Sequence, residues 1–379
     1  MEQTGWAKGG MRELLTPLLS PLLVAFNCWT SPLASQQLTR TLAIQSKSGQ
    51  QQIEQELSSD LLSRVRRNDQ VGGALLSASL PFVVGGETYG FILPLGIAVL
   101  SEYGKPYVHV GATAVELNDT ACSLAPPLPF ALSKKVKQFE AQPLFKERSA
   151  GLAALFARLR STGAVPMLDG WRDEPFAVRK AFNTPAACIV ERAGAPLLGL
   201  PAYGVFATGY ICGIEGSRQP TAVWIGRRSP NKPTWPGKLD SIAAGGLAAG
   251  DLPLSAMRSE CAEEAGIRDG ALLANLRSCS CLSYQAFKDG EWGLKPDILF
   301  AFDLELPPDF IPYPVDGEME NFRLMSIEEL IGSLRAYNDD WKPNVGVVLI
   351  DFLLRHGFVN ADDSDFLELV SSLRTGTCR

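Results

Sequence analysis

The chain has 379 residues, of which 46% are hydrophobic and 20% charged, and its formal net charge is −6. This length exceeds what one compact core holds, so two domains are expected, and the composition is that of an ordinary globular protein. The acidic balance argues against general nucleic-acid binding, which requires a basic surface.

The first 53 residues are predicted to be a targeting leader. Lys8 and Arg12 precede an apolar run over residues 14–29, a pattern that resembles a secretory signal peptide. Residues 36–52 carry basic and hydroxylated side chains and no acid, as transit peptides do. The two in series resemble the two-part plastid leader of algae with secondary plastids, so a plastid is the expected destination, with the cytoplasm or mitochondrion as alternatives. The competing interpretation is a disordered extension. The proline-broken apolar run is too short for a stable membrane span.

Residues 54–200 are predicted to form a smaller α/β domain. Apolar residues at helical spacing predict a helix at its start, and "LPFVVGGETYGFI" predicts two strands joined by a Gly-Gly turn, followed by a short helix. An amphipathic helix over "KERSAGLAALFARLRST" should stop at Gly163, and two short strands should follow. We find no catalytic spacing here. The charged cluster at residues 171–174 is interpreted either as facing a ligand or as a turn with a half-buried tryptophan.

Residues 201–360 are predicted to form a second, strand-rich domain, and residues 361–379 a C-terminal tail. Strands are predicted over "GVFATGYICG", "TAVWIGRRS", "SCSCLSYQAF" and "PDILFAFDLEL", and helices over "SIEELIGSLRAY" and "NVGVVLIDFLLRHG". A loop punctuated by proline and glycine, "SPNKPTWPGKLD", follows the second strand.

Two residue types limit the chemistry that the chain can carry. The two histidines, His109 and His356, lie far apart in sequence, so a histidine-rich zinc site or a Ser-His-Asp triad is difficult to build. The eight cysteines are irregularly spaced, and the one close pair, Cys279 and Cys281, lacks a second pair of zinc ligands. We therefore expect reduced thiols, without a disulfide framework or a structural zinc.

One short predicted helix carries three glutamates on one face. Residues 255–265 contain no proline and precede Gly266, a natural helix stop. At about 100° per residue, Glu260, Glu263 and Glu264 project within a sector of roughly 100°. No basic residue at i±4 inside the helix offsets their repulsion, so a solvated face is the weaker interpretation and a divalent cation the better one. Carboxylate ligands suit Mg²⁺ or Mn²⁺.

This stretch resembles the Nudix box, whose usual form is G-x5-E-x7-R-E-U-x-E-E-x-G-U, with U a bulky aliphatic residue. The matching positions are Gly245, Glu260, Glu263, Glu264, Gly266 and Ile267. Cys261 replaces an aliphatic residue, Asp251 stands where glutamate is usual, and Ser259 where arginine is usual. In the family that arginine orients the acid by an ion pair, which Ser259 cannot form. These departures concern support of the loop more than metal ligation, so we expect activity, with reduced turnover as the cost.

Three further segments, residues 223–250, 316–330 and 342–358, are similar to the Nudix hydrolases related to thiamine pyrophosphokinase, as is "GWRDEPFAV" in the N-terminal domain. That subfamily carries an N-terminal domain of unassigned function ahead of its Nudix domain. The resemblance implies an α/β/α sandwich with a mixed sheet. It also implies cleavage of thiamine diphosphate, or its damaged oxo and oxy forms, to the monophosphate.

The resemblance assigns roles to named residues. Glu260, Glu263 and Glu264 would hold Mg²⁺ or Mn²⁺, which would neutralise diphosphate oxygens and activate a water. The general base is left open between Glu264, Glu318 and Glu320. The predicted substrate-binding residues are Arg227, Arg228, Lys232, Trp235, Lys238, Gly245 and Gly246.

Other functions compete with this hydrolase. A catalytically weak Nudix module would bind a diphosphate without cleaving it, and a related hydrolase would take another nucleoside diphosphate derivative. An isoprenoid diphosphate isomerase on the same fold would use a histidine-rich metal site, for which the chain has too few histidines. A small-molecule diphosphate is the expected partner, and the sequence does not indicate an oligomeric state.

Overall fold

The computed structural model describes residues 57–69, 73–213, 219–288, 292–336 and 339–376. Residues 55–379 form one compact unit. The predicted leader, residues 1–53, lies outside the described residues, so its targeting role stays a prediction. In the described part of the chain, no helix is long and apolar enough to cross a membrane.

The first half of the unit is built on a small sheet with short helices. Helix α1 spans residues 57–66. The elements that follow are α2 (Gly73–Ser77), β1 (Leu80–Val84), β2 (Glu87–Ile92), α3 (Pro94–Tyr103), β3 (Val108–Val110), β4 (Val115–Leu117), α4 (Asp119–Cys122), α5 (Lys134–Lys137), α6 (Phe145–Thr162), β5 (Pro175–Val178) and β6 (Cys188–Glu191). Strands β1 to β4 form a sheet in the order β2-β1-β4-β3, while β5 pairs with β6 separately.

These elements confirm the local predictions for the first half. The β1–β2 hairpin turns at Gly85 and Gly86, and α3 follows it directly. Helix α6 ends at Thr162 and is followed by Gly163 in the left-handed conformation. The charged cluster at residues 171–174 precedes β5, and Trp171 is half-buried, with its indole N–H donating to Asp173 Oδ1 at 2.8 Å.

The second half is built on a larger mixed sheet. Its elements are β7 (Ala202–Cys212), β8 (Pro220–Arg228), β9 (Leu239–Asp240), β10 (Ala243–Gly246), α7 (Pro253–Glu264), α8 (Gly270–Leu273), β11 (Leu276–Lys288), β12 (Gly293–Glu305), β13 (Met319–Ser326), α9 (Ile327–Arg335), α10 (Pro343–Arg355) and α11 (Phe366–Ser372). The strand order is β11-β12-β7-β8-β13, and β10 and β9 add to β7 and β8. Strands β7 and β12 run parallel, while the other pairs are antiparallel.

Helices cover both faces of this sheet. Because side chains alternate along a strand, Val205 and Ala207 of β7 lie in one core with Met257 of α7, whereas Phe206 lies in the other with Phe352 of α10. The predicted α/β/α sandwich with a mixed sheet is therefore confirmed. Its two cores fix α7 on one side of β10 and the long α10 on the opposite side.

Helix α1 packs into the core of this second sheet. Leu61, Leu62 and Val65 are buried in the same cluster as the apolar residues of α9 and α10. Arg64 Nε donates to the carbonyl oxygen of Leu334 at 2.6 Å. The division at residue 200 stays a prediction, but α1, which that division places in the N-terminal domain, contributes to the core of the second sheet. Helix α11, in the predicted tail, joins that cluster through Leu369.

Candidate active site

Helix α7 presents its acidic face at the end of strand β10. Met257 and Cys261 are fully buried and hold the helix on the sheet. The glutamates lie on the remaining face of α7 and differ in solvent exposure. Glu263 is exposed, Glu260 is half-buried, and Glu264 is only 1% exposed. The three glutamates therefore share one face of α7, as their helical spacing in the sequence predicted.

Two of these glutamates contact β10 directly. The backbone N–H of Ala244 donates to Glu264 Oε2 at 2.8 Å. Glu260 lies across Gly245 so closely that a Cβ at this glycine would overlap the Oε1 of Glu260. The two carboxylates are thus held against the strand by a hydrogen bond and by the absence of a side chain.

The segment before β13 supplies an opposing acidic wall. The Glu318 N–H donates to Asp316 Oδ1 at 2.9 Å, and the carbonyl oxygen of Glu318 accepts a hydrogen bond from the Ser229 N–H at 2.9 Å. Lys232, from the loop after β8, forms an ion pair with the Glu318 carboxylate. Glu318 also interacts electrostatically with Glu260 and Glu264. Carboxylates from α7 and from the β13 approach therefore converge near Gly245.

The pKa values of Glu260, Glu264 and Glu318 reflect burial and the charges around them. Burial, together with the nearby charges of Glu263, Glu318 and Asp316, raises the pKa of Glu260 to about 7. Burial, followed by the charge of Asp240, raises the pKa of Glu264 well above its usual value. Burial alone would raise the pKa of Glu318, but hydrogen bonds from Lys232 and Glu264 outweigh it, and that pKa is lowered. Burial is thus the main cause of both raised pKa values, and the neighbouring carboxylates add to it.

Both halves of the chain match known protein domains. Residues 207–345 match the NUDIX domain model, and residues 129–202 match a domain of unknown function, DUF4743. Nudix hydrolase 20, chloroplastic, of Arabidopsis thaliana is 37% identical over 233 residues, which are 62% of this chain and 59% of that protein. An uncharacterized protein of Saccharomyces cerevisiae is 31% identical over 273 residues, which are 69% of this chain and 78% of that protein. Residues 207–345 of the chain therefore form a Nudix domain.

Further similar proteins match part of the chain. Nudix hydrolase 24, chloroplastic, of Arabidopsis thaliana is also 37% identical over 233 residues, 62% of this chain and 61% of that protein. The matched part of the chain thus spans about 60% of the length of the two Arabidopsis relatives. The crystal structure of a Nudix hydrolase from M. smegmatis is similar at 14% identity and a TM-score of 0.30, covering 41% of this chain and 84% of that one.

The two departures from the Nudix box have different surroundings. Ser259 is exposed on the outer side of α7. Asp251, in the loop before α7, accepts a hydrogen bond from the Ala248 N–H at 3.0 Å and forms an ion pair with Lys135. The acid at position 251 therefore has a basic partner, but that partner comes from α5 in the DUF4743 segment.

Two of the basic loop residues, Arg228 and Lys238, form ion pairs with aspartates outside the acidic face of α7. Arg228 is buried, donates to Asp240 at 2.7 Å and to the carbonyl oxygen of Thr234 at 2.9 Å, and so holds its own loop. Lys238 pairs with Asp339 at 2.7 Å.

The remaining predicted substrate-binding residues include both exposed and site-facing side chains. Arg227 is exposed and donates to the Gly237 carbonyl oxygen at 2.7 Å, and Trp235 is 45% exposed. Among the five predicted loop side chains, Lys232 forms an ion pair with Glu318 of the acidic cluster. Substrate binding stays a prediction for all of these loop residues and for Gly245 and Gly246.

Glu320, the third candidate for the general base, has different surroundings from Glu318. It sits at the register shift of β13 between Met319 and Asn321 and is exposed. Glu318, in contrast, pairs with Lys232, and Glu264 is held against Ala244. The choice of general base among the three residues stays a prediction.

The donor set fits a divalent cation. The cluster offers carboxylate oxygens alone, which are the ligands that Mg²⁺ and Mn²⁺ take. The pKa of Glu260 is raised mainly by burial and further by the charges of Glu263, Glu318 and Asp316, which a bound cation would offset. Among the described residues, no three His, Cys, Asp or Glu side chains are grouped closely enough to enclose a metal as they stand.

Sequence reasoning missed three residues at this site. Asp240 is fully buried between Arg228 and Lys342, whose ammonium lies 2.9 Å from Asp240 Oδ2. Arg192 lies over Gly246, where a Cβ would stand 3.2 Å from both of its terminal nitrogens, and it pairs with Glu174 at 2.7 Å. Arg192 is more than fifty positions from Gly246 in sequence, and no local pattern marks such a contact.

Proposed function

We propose that this protein is a Mg²⁺- or Mn²⁺-dependent hydrolase that cleaves a diphosphate bond. The observation that carries the proposal is that Glu260 and Glu264 of α7 lie against Gly245 and Ala244 of β10, with the Glu318 carboxylate near enough to affect the pKa of Glu260. Carboxylates suit a divalent cation, and the glycines of β10 allow a phosphate to approach the backbone closely.

Glu260, Glu263 and Glu264 are proposed to hold the divalent ion. When bound, the ion would supply neutralisation of the diphosphate oxygens and would acidify a water. Glu318, kept ionised beside Lys232, is proposed to accept the proton of the attacking water at its carboxylate. Glu264 is the alternative base, but its second oxygen already accepts the Ala244 N–H.

Cations around the cluster suit a diphosphate. Lys232 lies on the Glu318 side, and the guanidinium of Arg192 lies beyond Gly246. Both side chains could donate charge-assisted hydrogen bonds to the negatively charged oxygens of the diphosphate. Trp235, at the tip of the 229–237 loop, is exposed and is proposed to stack on the organic group of the substrate.

The proposed substrate is thiamine diphosphate or its oxo and oxy analogues, with the monophosphate and inorganic phosphate as products. This finer assignment is supported by the similarity of residues 223–250, 316–330 and 342–358 to the thiamine-pyrophosphokinase-related subfamily. The competing function is a module that binds a diphosphate without cleaving it, or a hydrolase of another nucleoside diphosphate derivative.

A substrate panel tests both levels of the proposal. The full chain is incubated with Mg²⁺ and thiamine diphosphate, its oxo and oxy forms, ADP-ribose or nucleoside triphosphates, and the phosphorylated products of each are separated and quantified against a Glu263→Gln control. Hydrolysis of the thiamine compounds supports the full assignment, while hydrolysis of other compounds alone keeps the hydrolase and removes the thiamine assignment. If no compound is hydrolysed faster than with the control, the hydrolase proposal fails.

We also propose that residues 1–53 direct the protein to a plastid. The sequence pattern of the leader supports this destination, as do the names of the two Arabidopsis relatives, both called chloroplastic. A fluorescent protein fused after residue 53 should accumulate in plastids. A fusion that stays cytosolic, or that enters mitochondria, would remove the proposal.

A further inference from the structure

We propose that Lys135 of the DUF4743 segment is a positioning residue for the loop that leads into helix α7. This loop, residues 247–252, joins the glycines of β10 to the acidic helix. The inference assigns a role to a domain of unknown function, namely holding the active-site loop of the Nudix domain that follows it. Its catalytic consequence rests on the proposed function, whereas its structural part does not.

Asp251 closes the loop on itself and connects it to α5. Its Oδ2 accepts the Ala248 N–H at 3.0 Å, and its own N–H donates to the Ala248 carbonyl oxygen at 3.1 Å. The other carboxylate oxygen, Oδ1, accepts the ammonium of Lys135. The Asp251 side chain is only 15% exposed, while that of Lys135 is 67% exposed. Lys135 therefore reaches in from solvent to neutralise an acid that the loop needs in a fixed orientation.

Two further contacts seat the same loop on the DUF4743 segment. The Ala249 N–H donates to the carbonyl oxygen of Pro175 at 2.9 Å, and Ala249 is buried with Val136 of α5 and Ile189 of β6. Gly250 has a φ of +86°, and a Cβ there would overlap the carbonyl oxygen of Lys135. The loop backbone thus lies directly on α5, at a distance that only glycine permits.

The loop in turn determines where β10 meets the glutamates. Leu247 donates its N–H to the Tyr203 carbonyl oxygen at 2.8 Å, which continues the pairing of β10 with β7 into the loop. Any shift of the loop would move Gly245 relative to Glu260, which lies directly against it. An ion pair between two segments of the chain is consequently linked to the geometry of the acidic cluster.

Amide hydrogen exchange of the metal-free full chain tests the structural part. In Lys135→Met, the amides of Ala248 and Ala249 should exchange about two- to five-fold faster, the range expected for losing a partly exposed ion pair. Asp251→Asn should have an effect of similar size, because it retains the oxygen that accepts the Ala248 N–H and removes the charge. If the two residues act through one ion pair, the double variant should exchange no faster than either single variant.

Matched variants make the result specific. Lys135→Arg keeps the cation and should restore protection, and Lys134→Met removes an exposed charge from the same helix and should change nothing. Unchanged exchange at Ala248 and Ala249 in both Lys135→Met and Asp251→Asn would overturn the inference. So would equal acceleration in Lys134→Met, since the effect would then come from net charge.

Kinetics test the catalytic consequence. On the best substrate of the panel, Lys135→Met should lower kcat about two- to five-fold with little change in KM, and Lys135→Arg should restore it. An unchanged kcat alongside faster loop exchange would overturn the catalytic part alone. A wild-type protein that hydrolyses nothing would remove the proposed function, while the exchange measurement would still decide the role of Lys135.

Discussion

Gly245 lies beneath the carboxylate of Glu260, and the backbone beside it binds Glu264. At the scale of single residues, the helical spacing of the glutamates made this face predictable, because i, i+3 and i+4 positions share one side of any helix. The depth of each glutamate was not predictable. Nor was the placement of Arg228, whose charge suggests phosphate binding but whose burial commits it to Asp240 and its own loop.

Replacing Gly245 with alanine should damage activity more than stability. The new methyl group would displace the Glu260 carboxylate, a flexible side-chain end that can move away from the acidic cluster. We expect a loss of roughly 100-fold or more in kcat/KM, the size seen when an active-site group is misplaced. Phosphate release from the best panel substrate measures it.

Gly332→Ala is the matched control. Gly332 lies inside α9, where a Cβ would meet nothing within 4 Å, so alanine should leave kcat/KM unchanged and raise the free energy of unfolding by about 0.5–1 kcal/mol. Equal activity of Gly245→Ala and Gly332→Ala would show that close packing of Glu260 on the strand has no catalytic role.

At the scale of elements, local sequence patterns predicted most strands and helices, because apolar periodicity and glycine punctuation are local signals. The pairing of these elements is not local. The parallel register of β12 with β7, for example, joins residues about ninety positions apart. Helix α10 was predicted, but its attachment to β12 through Arg355 was not. Arg355 donates to Asp303 at 2.6 Å and to Asp351 at 2.7 Å.

Removing this arginine should destabilise the second sheet. Arg355→Met leaves two buried aspartates without their shared cation and should lower the free energy of unfolding by about 3 kcal/mol at neutral pH. Urea unfolding measures the change. Arg66→Met is the control, because its pair with Glu368 is exposed and should contribute less than about 1 kcal/mol.

The same ion pairs give the effect a pH dependence. Burial would raise the pKa of Asp303, but hydrogen bonds from His356 and Arg355 outweigh it, so the pKa is lowered in the folded state. A lowered pKa contributes stability above the ordinary aspartate pKa of about 4, and this stability is lost as the pH falls through the lower folded value. The difference between wild type and Arg355→Met should therefore shrink in acid. A difference that stays constant from pH 7 to about pH 3 would contradict this account.

At the scale of the whole molecule, distant parts of the chain complete one another. Helix α1 lies in the core beside α9 and α10, and the DUF4743 segment holds the loop before α7. The sequence indicated two domains from length and composition. Neither of these connections was predictable, since contacts across roughly 115 to 270 positions leave no periodic signal.

Truncating one buried residue of α1 should therefore weaken the second sheet. Leu61 is fully buried in that core, and Leu61→Ala should lower the free energy of unfolding by about 2–5 kcal/mol. Ser63→Ala, at an exposed position of the same helix, should stay within about 0.5 kcal/mol of wild type. Chemical unfolding followed by tryptophan fluorescence compares them, and similar values for the two variants would mean that α1 does not stabilise the sheet.

The central claim is tested most directly by phosphate release from the best panel substrate in the presence of a divalent ion. The full chain is compared with its Glu260→Gln variant. We predict release with Mg²⁺ or Mn²⁺, its loss on chelation, and a fall of at least about 100-fold in Glu260→Gln. Glu320→Gln, exposed on β13, should remain close to wild type. Equal release by Glu260→Gln and wild type, or release that chelation leaves unchanged, would contradict the account.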